Sequence, residues 1–98
     1  MKKEIIRWSN ENWPHRSELD VTLKLQEELQ ELLEAIEKND EINIAEELFD
    51  AYAMIVDYAY THNIKLRRVF AAKRAIVNLR KKAGKQPTVE REILGAYL

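Results

Sequence analysis

Three features of the chain point to an all-α fold, an antiparallel helical bundle of three to five helices. Punctuation is sparse: 98 residues carry only two Gly and two Pro, too few for a fold built from tight turns. Apolar residues recur at helical spacing over three long stretches. The segments between those stretches are short, which makes sequential helices antiparallel neighbours. A single helical domain over residues 1–98 is expected, with an N-terminal segment 1–17, a core 18–84 and a C-terminal tail 85–98. So small a core closes poorly on its own, so self-association is expected to complete it.

Lys2–Asn12 reads as a short helix. Trp13-Pro14 then breaks the chain, because the residue before a proline avoids the helical region. Ser17 is placed to cap the next helix, with Asp20 where a capping box carries Glu or Gln. That helix runs from Glu18 to about Lys38 and stops at Asn39-Asp40. At ~100° per residue, Leu25, Leu29, Leu32, Leu33 and Ile36 form one apolar stripe. Glu27 and Glu34 lie opposite it, whereas Glu28 sits at its edge with Glu31 one turn on. A second long helix is expected over about Asn43 to His62, with Asn63 able to take the left-handed C-cap conformation. Leu48, Phe49, Tyr52, Ala53, Ile55, Val56, Ala59 and Tyr60 make it apolar over most of its circumference, as in a helix central to its bundle. Ala51, Met54 and Tyr58 fall on the other side. A third runs from about Lys65 to Ala83 and ends at Gly84. Gly84–Thr88 reads as a turn and Val89–Leu98 as a final short helix.

Composition closes off several classes. With no Cys there is no disulfide scaffold and no thiolate zinc site. No apolar run approaches the ~20 residues of a bilayer span, and Met1–Trp8 offers only Ile5 and Ile6 as adjacent apolar residues, which is no signal-peptide core. A cytoplasmic protein with no membrane partner is expected. The net charge of −1 conceals a strong polarity. Glu18–Asp57 holds two basic against thirteen acidic residues, and Tyr58–Leu98 ten basic against two acidic. An acidic middle and a basic end fit paired helix faces, a metal site beside an anion site, or a dimer in which opposite signs meet.

The acidic residues are patterned. Glu28-x-x-Glu31 lies on one helix and Glu47-x-x-Asp50 on the next, and residues three apart share a helix face. Antiparallel packing would bring four carboxylates into one small volume. Four like charges stay ionised together only if cations neutralise them. An all-oxygen set suits Mg2+ or Mn2+. The lack of Cys and of a Glu-x-x-His pair argues against zinc and against a di-iron bundle. His15 and His62 are not spaced to join. Asp57 continues the acidic row, as an extra metal-shell group, a lysine partner or half of a buried ion pair.

The two motifs, with fifteen residues between them, resemble the signature of the all-α nucleotide pyrophosphohydrolases, the MazG-like group. The surrounding segments LQEELQELLEAI and AEELFDAYAMIVDYAYTHNIKL are similar to that family from about Leu19 to Gly84. The resemblance implies cleavage of (d)NTP between the α and β phosphates, giving the monophosphate and pyrophosphate. It implies that Glu28, Glu31, Glu47 and Asp50 hold Mg2+, with Mn2+ as the alternative ion, and that Glu31 takes the proton of the attacking water. It also implies a homodimer or homotetramer in which partner subunits complete the site.

Members of the family often carry a Lys, then an Asn and an Arg leading to a Gly on the third helix. Here Arg74, Asn78 and Lys81 lead to Gly84, with Arg in place of the first Lys and Lys73 just before it. The resemblance assigns phosphate contacts to this group, and either Lys73 or Arg74 fits the first position. On the wheel, Lys73 falls inside the Val69–Ile76–Leu79 stripe together with Arg80, where its four-carbon stem would have to snorkel. NWPHRSEL loosely resembles the aromatic-histidine segment that holds the base in the deoxycytidine-triphosphatase-like branch, one residue short in its spacing to Glu28. It offers Trp13 as a base-stacking side chain, beside Trp8 and His15. The competing readings are a non-enzymatic helical protein–protein interaction module, a phosphoribosyl-ATP pyrophosphohydrolase, and a nucleic-acid binder using Arg67–Lys85. The acidic middle section opposes the last, and no nucleic-acid partner is expected.

Overall fold

The computed structural model describes residues 1–98. It contains five α-helices and no strands: α1 (Lys2–Asn12), α2 (Glu18–Glu37), α3 (Glu41–Thr61), α4 (Leu66–Ala83) and α5 (Pro87–Tyr97). The chain divides into two compact units, Met1–His62 and Asn63–Leu98.

Local chemistry sets the helix ends. Ser17 Oγ accepts from Asp20 N at 3.1 Å, and Asp20 Oδ2 accepts from Ser17 N at 3.2 Å, so the capping box forms with Asp in the role of Glu. The α2–α3 turn is a Schellman closure: Asp40 N donates to Ala35 O at 3.0 Å and Asn39 N to Ile36 O at 3.1 Å. Asn39 sits at φ 54°, a conformation that Asn tolerates better than most residues. Asp40 then caps α3, accepting from Asn43 N at 3.2 Å and Asn43 Nδ2 at 2.8 Å. α3 therefore starts two residues before the apolar pattern suggests. Asn63 takes the left-handed conformation at φ 53°, as its place after α3 predicts. α5 starts at Pro87 rather than Val89. Proline is preorganised for the first helical position, where no N–H partner is needed.

In the first unit, α3 packs against both α2 and α1. Ile5 and Ile6 of α1 bury against Ala53 and Val56 of α3. The apolar stripe expected on α2 divides in two. Its inward seam is Val21, Leu25, Glu28, Leu32 and Ala35, of which Glu28 and Ala35 are fully buried. Leu29, Leu33 and Ile36 instead keep about half of their surface exposed. α3 departs from expectation in the same way. Its buried residues are Ala51, Ala53, Val56, Asp57 and Ala59, while Leu48, Phe49, Tyr52, Ile55 and Tyr60 are exposed. A helix hairpin buries one seam per helix, and small residues bring the backbones close. A wide apolar face is left with its large side chains outward.

In the second unit, α4 packs on α5. Ala72 and Ile76 are fully buried, with Val69, Leu79 and Arg80 half-buried beside them. Lys73 is exposed, which corrects its placement in the stripe: Ala72 fills the position between Val69 and Ile76. Arg80 does reach inward. Its Nε donates to Glu90 Oε1 at 3.0 Å, and Gln86 N donates to Glu90 Oε2 at 2.9 Å.

Candidate metal centre

Glu28 comes from the α2 seam, and Glu47 and Asp50 from the facing turn of α3. One carboxylate oxygen from each of the three lies within 4.8 Å of the others. Glu28 is 4% exposed. Its Oε1 pairs with Lys24 Nζ at 3.1 Å, one turn earlier on α2. Its Oε2, and Oε2 of Glu47, are buried without a hydrogen-bond donor. Leaving buried acceptors unpaired is costly, so the site calls for a cation or a proton.

The electrostatics say the same. Hydrogen bonding to the neighbouring Glu28 carboxylate, followed by burial and by Glu31, pushes Glu47 up to about 8. Burial opposes the ionised form of Glu28 too, but Glu47 and Lys24 together outweigh it and hold this carboxyl below its usual range. Asp50 is raised, first by burial and then by the charges of Glu28 and Glu46. In the absence of a cation, the Glu28–Glu47 pair favours keeping one proton over carrying two charges. An all-oxygen donor set with two unpaired buried oxygens fits a hard divalent cation. Glu31 is exposed and lies outside the group of three, yet it is close enough to Glu28 and Glu47 to act on both carboxyls.

A cavity of about 460 Å3 opens beside Glu28 and Asp50. Trp8 and Trp13 form its aromatic wall, their rings edge to face with centroids 5.0 Å apart. Trp13 thus lines the same cavity as Glu28 and Asp50. Asp57 also lines the cavity, and of its three sequence readings the buried ion pair is the one formed. Its partner is Arg16, whose Nε reaches Oδ2 at 2.6 Å while Nη2 pairs with Oδ1. Arg16 also donates to Trp13 O at 2.7 Å, Asn10 Oδ1 at 3.0 Å and Ser9 O at 3.4 Å, so it fastens the turn before α2 to α3.

Sequence reading passed over Lys24 and Arg16. Lys24 was detectable, because a Lys four residues before a Glu shares its helix face. Arg16 was not, since its partner lies 41 residues away. His15 is exposed, and His62 packs on the Tyr58 ring at 4.1 Å; neither belongs to the acidic group. Lys73, Arg74, Asn78 and Lys81 lie on α4 in the second unit, all exposed. Within that unit the Arg74 guanidinium sits over the Phe70 ring, 5.7 Å from its centroid, and the charge of Lys73 acts on Glu90. No helix of the chain is long and apolar enough to cross a membrane.

No curated protein and no solved structure matches the chain. Residues 16–89 match the MazG nucleotide pyrophosphohydrolase domain, a span that takes in both acidic motifs, the cavity residues from Arg16 onward and all of α4. The chain belongs to the MazG nucleotide pyrophosphohydrolase family.

Proposed function

We propose that the protein hydrolyses nucleoside triphosphates to the monophosphate and pyrophosphate in a Mg2+-dependent reaction. One observation carries this reading: Glu28, Glu47 and Asp50 converge from two helices with two buried oxygens unpaired, in a chain of this family. The three carboxylates, with Glu31 beside them, would hold the metal. When bound, the ion supplies positive charge against the polyphosphate and acidifies the attacking water. Glu31, exposed and outside the group of three, takes the proton from that water as it attacks the α-phosphorus. The α–β phosphoanhydride bond breaks and pyrophosphate leaves. Trp13, with Trp8 against it, offers a face on which a base stacks. The family resemblance assigns phosphate contacts to Lys73, Arg74, Asn78 and Lys81, which are exposed on α4 of the second unit. Positioning and charge neutralisation carry most of such a reaction.

A second copy completes the fold in this reading, as a homodimer or a pair of dimers. The outward row Leu29, Leu33 and Ile36, with Leu48, Phe49, Tyr52 and Ile55 of α3, is the apolar surface that favours it. Light scattering on the purified chain reads the subunit number directly.

The decisive experiment measures pyrophosphate release from a panel of ribo- and deoxyribonucleoside triphosphates and phosphoribosyl-ATP, with and without Mg2+. Metal-dependent formation of monophosphate and pyrophosphate, abolished in Glu47→Gln, is expected. A folded protein that turns over none of them, and whose melting Mg2+ does not change, overturns the reading in favour of an interaction module.

A further inference from the structure

The cavity beside the carboxylates is poor in usable positive charge. Its acidic side chains are Asp20, Glu28, Asp50 and Asp57, and its only cations are Arg16 and Lys24. Arg16 is spent: Nε and Nη2 are committed to Asp57 and Asn10, and Nη1 to the backbone of Ser9 and Trp13. Lys24 differs. It is half-exposed and held by carboxylates alone, Glu28 Oε1 at 3.1 Å and Glu27 Oε2 at 3.3 Å. Glu27 points to solvent, so the one well-buried partner of Lys24 is the carboxylate that a divalent cation would claim.

We propose that Lys24 is an exchangeable counter-ion of the metal centre: it neutralises Glu28 in the metal-free protein and, once a divalent cation takes Glu28, turns to a phosphate of the bound nucleotide. This rests on the proposed hydrolase function and adds a substrate contact to it. Three observations carry it. Lys24 Nζ is the only cation paired with Glu28. Lys24 lines the same cavity as Trp13 and Asp50. Its ammonium, on a flexible four-carbon stem with rotatable donors, moves between partners without disturbing the backbone. The exchange has a thermodynamic signature. Lys24 competes with a cation bound alone but assists one bound with a polyphosphate, so metal and nucleotide bind cooperatively and Lys24 contributes to the coupling.

The test is calorimetric titration of wild type, Lys24→Met and Lys24→Arg. Mn2+ alone is used first, then an α,β-methylene nucleoside triphosphate in saturating Mn2+. Because Lys24 is half-exposed, its repulsion of the ion is screened. Lys24→Met is expected to bind Mn2+ alone about three- to tenfold more tightly, and the analogue at least about tenfold more weakly. Lys24→Arg is expected to return both affinities towards wild type. Unchanged Mn2+ affinity or unchanged analogue affinity in Lys24→Met overturns the proposal and reduces the contact to a surface pair of adjacent helical turns. If the analogue binds the wild type in this Lys24-dependent way but no triphosphate is hydrolysed, the hydrolase reading fails and the counter-ion role stands.

Discussion

Replacing Arg16 by Met should be among the most damaging single changes to the first unit. The Arg16 and Asp57 side chains are only 18% and 6% exposed, and the pair is bidentate. Removing the guanidinium leaves a carboxylate stranded on the buried face of α3, beside Ala53 and Val56. Breaking a buried pair on one side costs about 3–5 kcal/mol. The bonds to Trp13 O, Asn10 and Ser9 O are lost with it, but those oxygens can turn to water, so the lower end of the range, about 3 kcal/mol, is the working value. For a domain of this size, 1 kcal/mol moves Tm by about 4–8 °C, so a fall of about 12–24 °C is expected. Thermal unfolding followed by far-UV circular dichroism measures it. Fluorescence of Trp8 and Trp13 separately reports whether the turn before α2 detaches. The double variant Arg16→Met/Asp57→Leu should recover most of the loss, because an apolar pair of similar volume leaves no charge buried. An Arg16→Met protein that melts within about 3 °C of wild type would refute the reasoning, and so would a double variant no better than the single.

Three further outcomes follow from the local chemistry. Glu47 titrates near 8 in the metal-free fold against 4.5 as a free side chain. Between those values the folded chain keeps a proton that the unfolded chain has lost, so metal-free stability should fall as pH rises from about 5 to 8; melting curves with EDTA check this, and saturating Mg2+ should flatten the trend. Glu90, held to about 2 by Arg80 and the Gln86 N–H, behaves with the opposite sign. Its contribution is full above about pH 4.5 and lost as pH falls towards 2, and Glu90→Gln should remove that part of the acid limb in a pH titration of unfolding. Asn39→Gly should keep or slightly raise Tm, whereas Asn39→Val should cost about 1–2 kcal/mol, because the Schellman turn needs φ 54° there; chemical denaturation midpoints distinguish the two.

Most helix ends were readable because the signals are local, whereas α3 and α5 each start two residues before the expected position. Ser17 and Asp20, Asn39 and Asp40, Asn63, and Gly84 each act within a few residues of the boundary they set. Packing was less readable for a reason of scale. The wheel shows that Leu29 and Leu32 are both apolar, but not which of them meets another helix. In α2 the inward seam steps 21, 25, 28, 32 and 35, and an acidic residue occupies its middle. A pattern search that scores Glu as polar moves the seam round the helix towards Leu29, Leu33 and Ile36, which are the residues the structure leaves outward.

That misplacement and the site have one cause. A glutamate 4% exposed in the middle of a helix seam weakens the packing unless its charge is met, and the neighbouring residues meet it in a graded way. Lys24 neutralises one oxygen from the solvent side, and Glu47, pushed up to about 8, keeps a second negative charge away below that pH. Neither arrangement is strong: the first depends on a half-exposed ammonium, and the second ends as pH rises through about 8. A divalent cation bound there would satisfy both orphaned oxygens at once, release the proton and free the lysine. On the proposed metal role, stability and cation affinity would be coupled through Glu28. Glu28→Leu should make the metal-free protein more stable, since it fills the seam with an apolar side chain, while removing the Mg2+-dependent rise in Tm. A Glu28→Leu protein less stable than metal-free wild type at pH 8 would mean that the seam is built around the carboxylate, and that the strain attributed to it is absent.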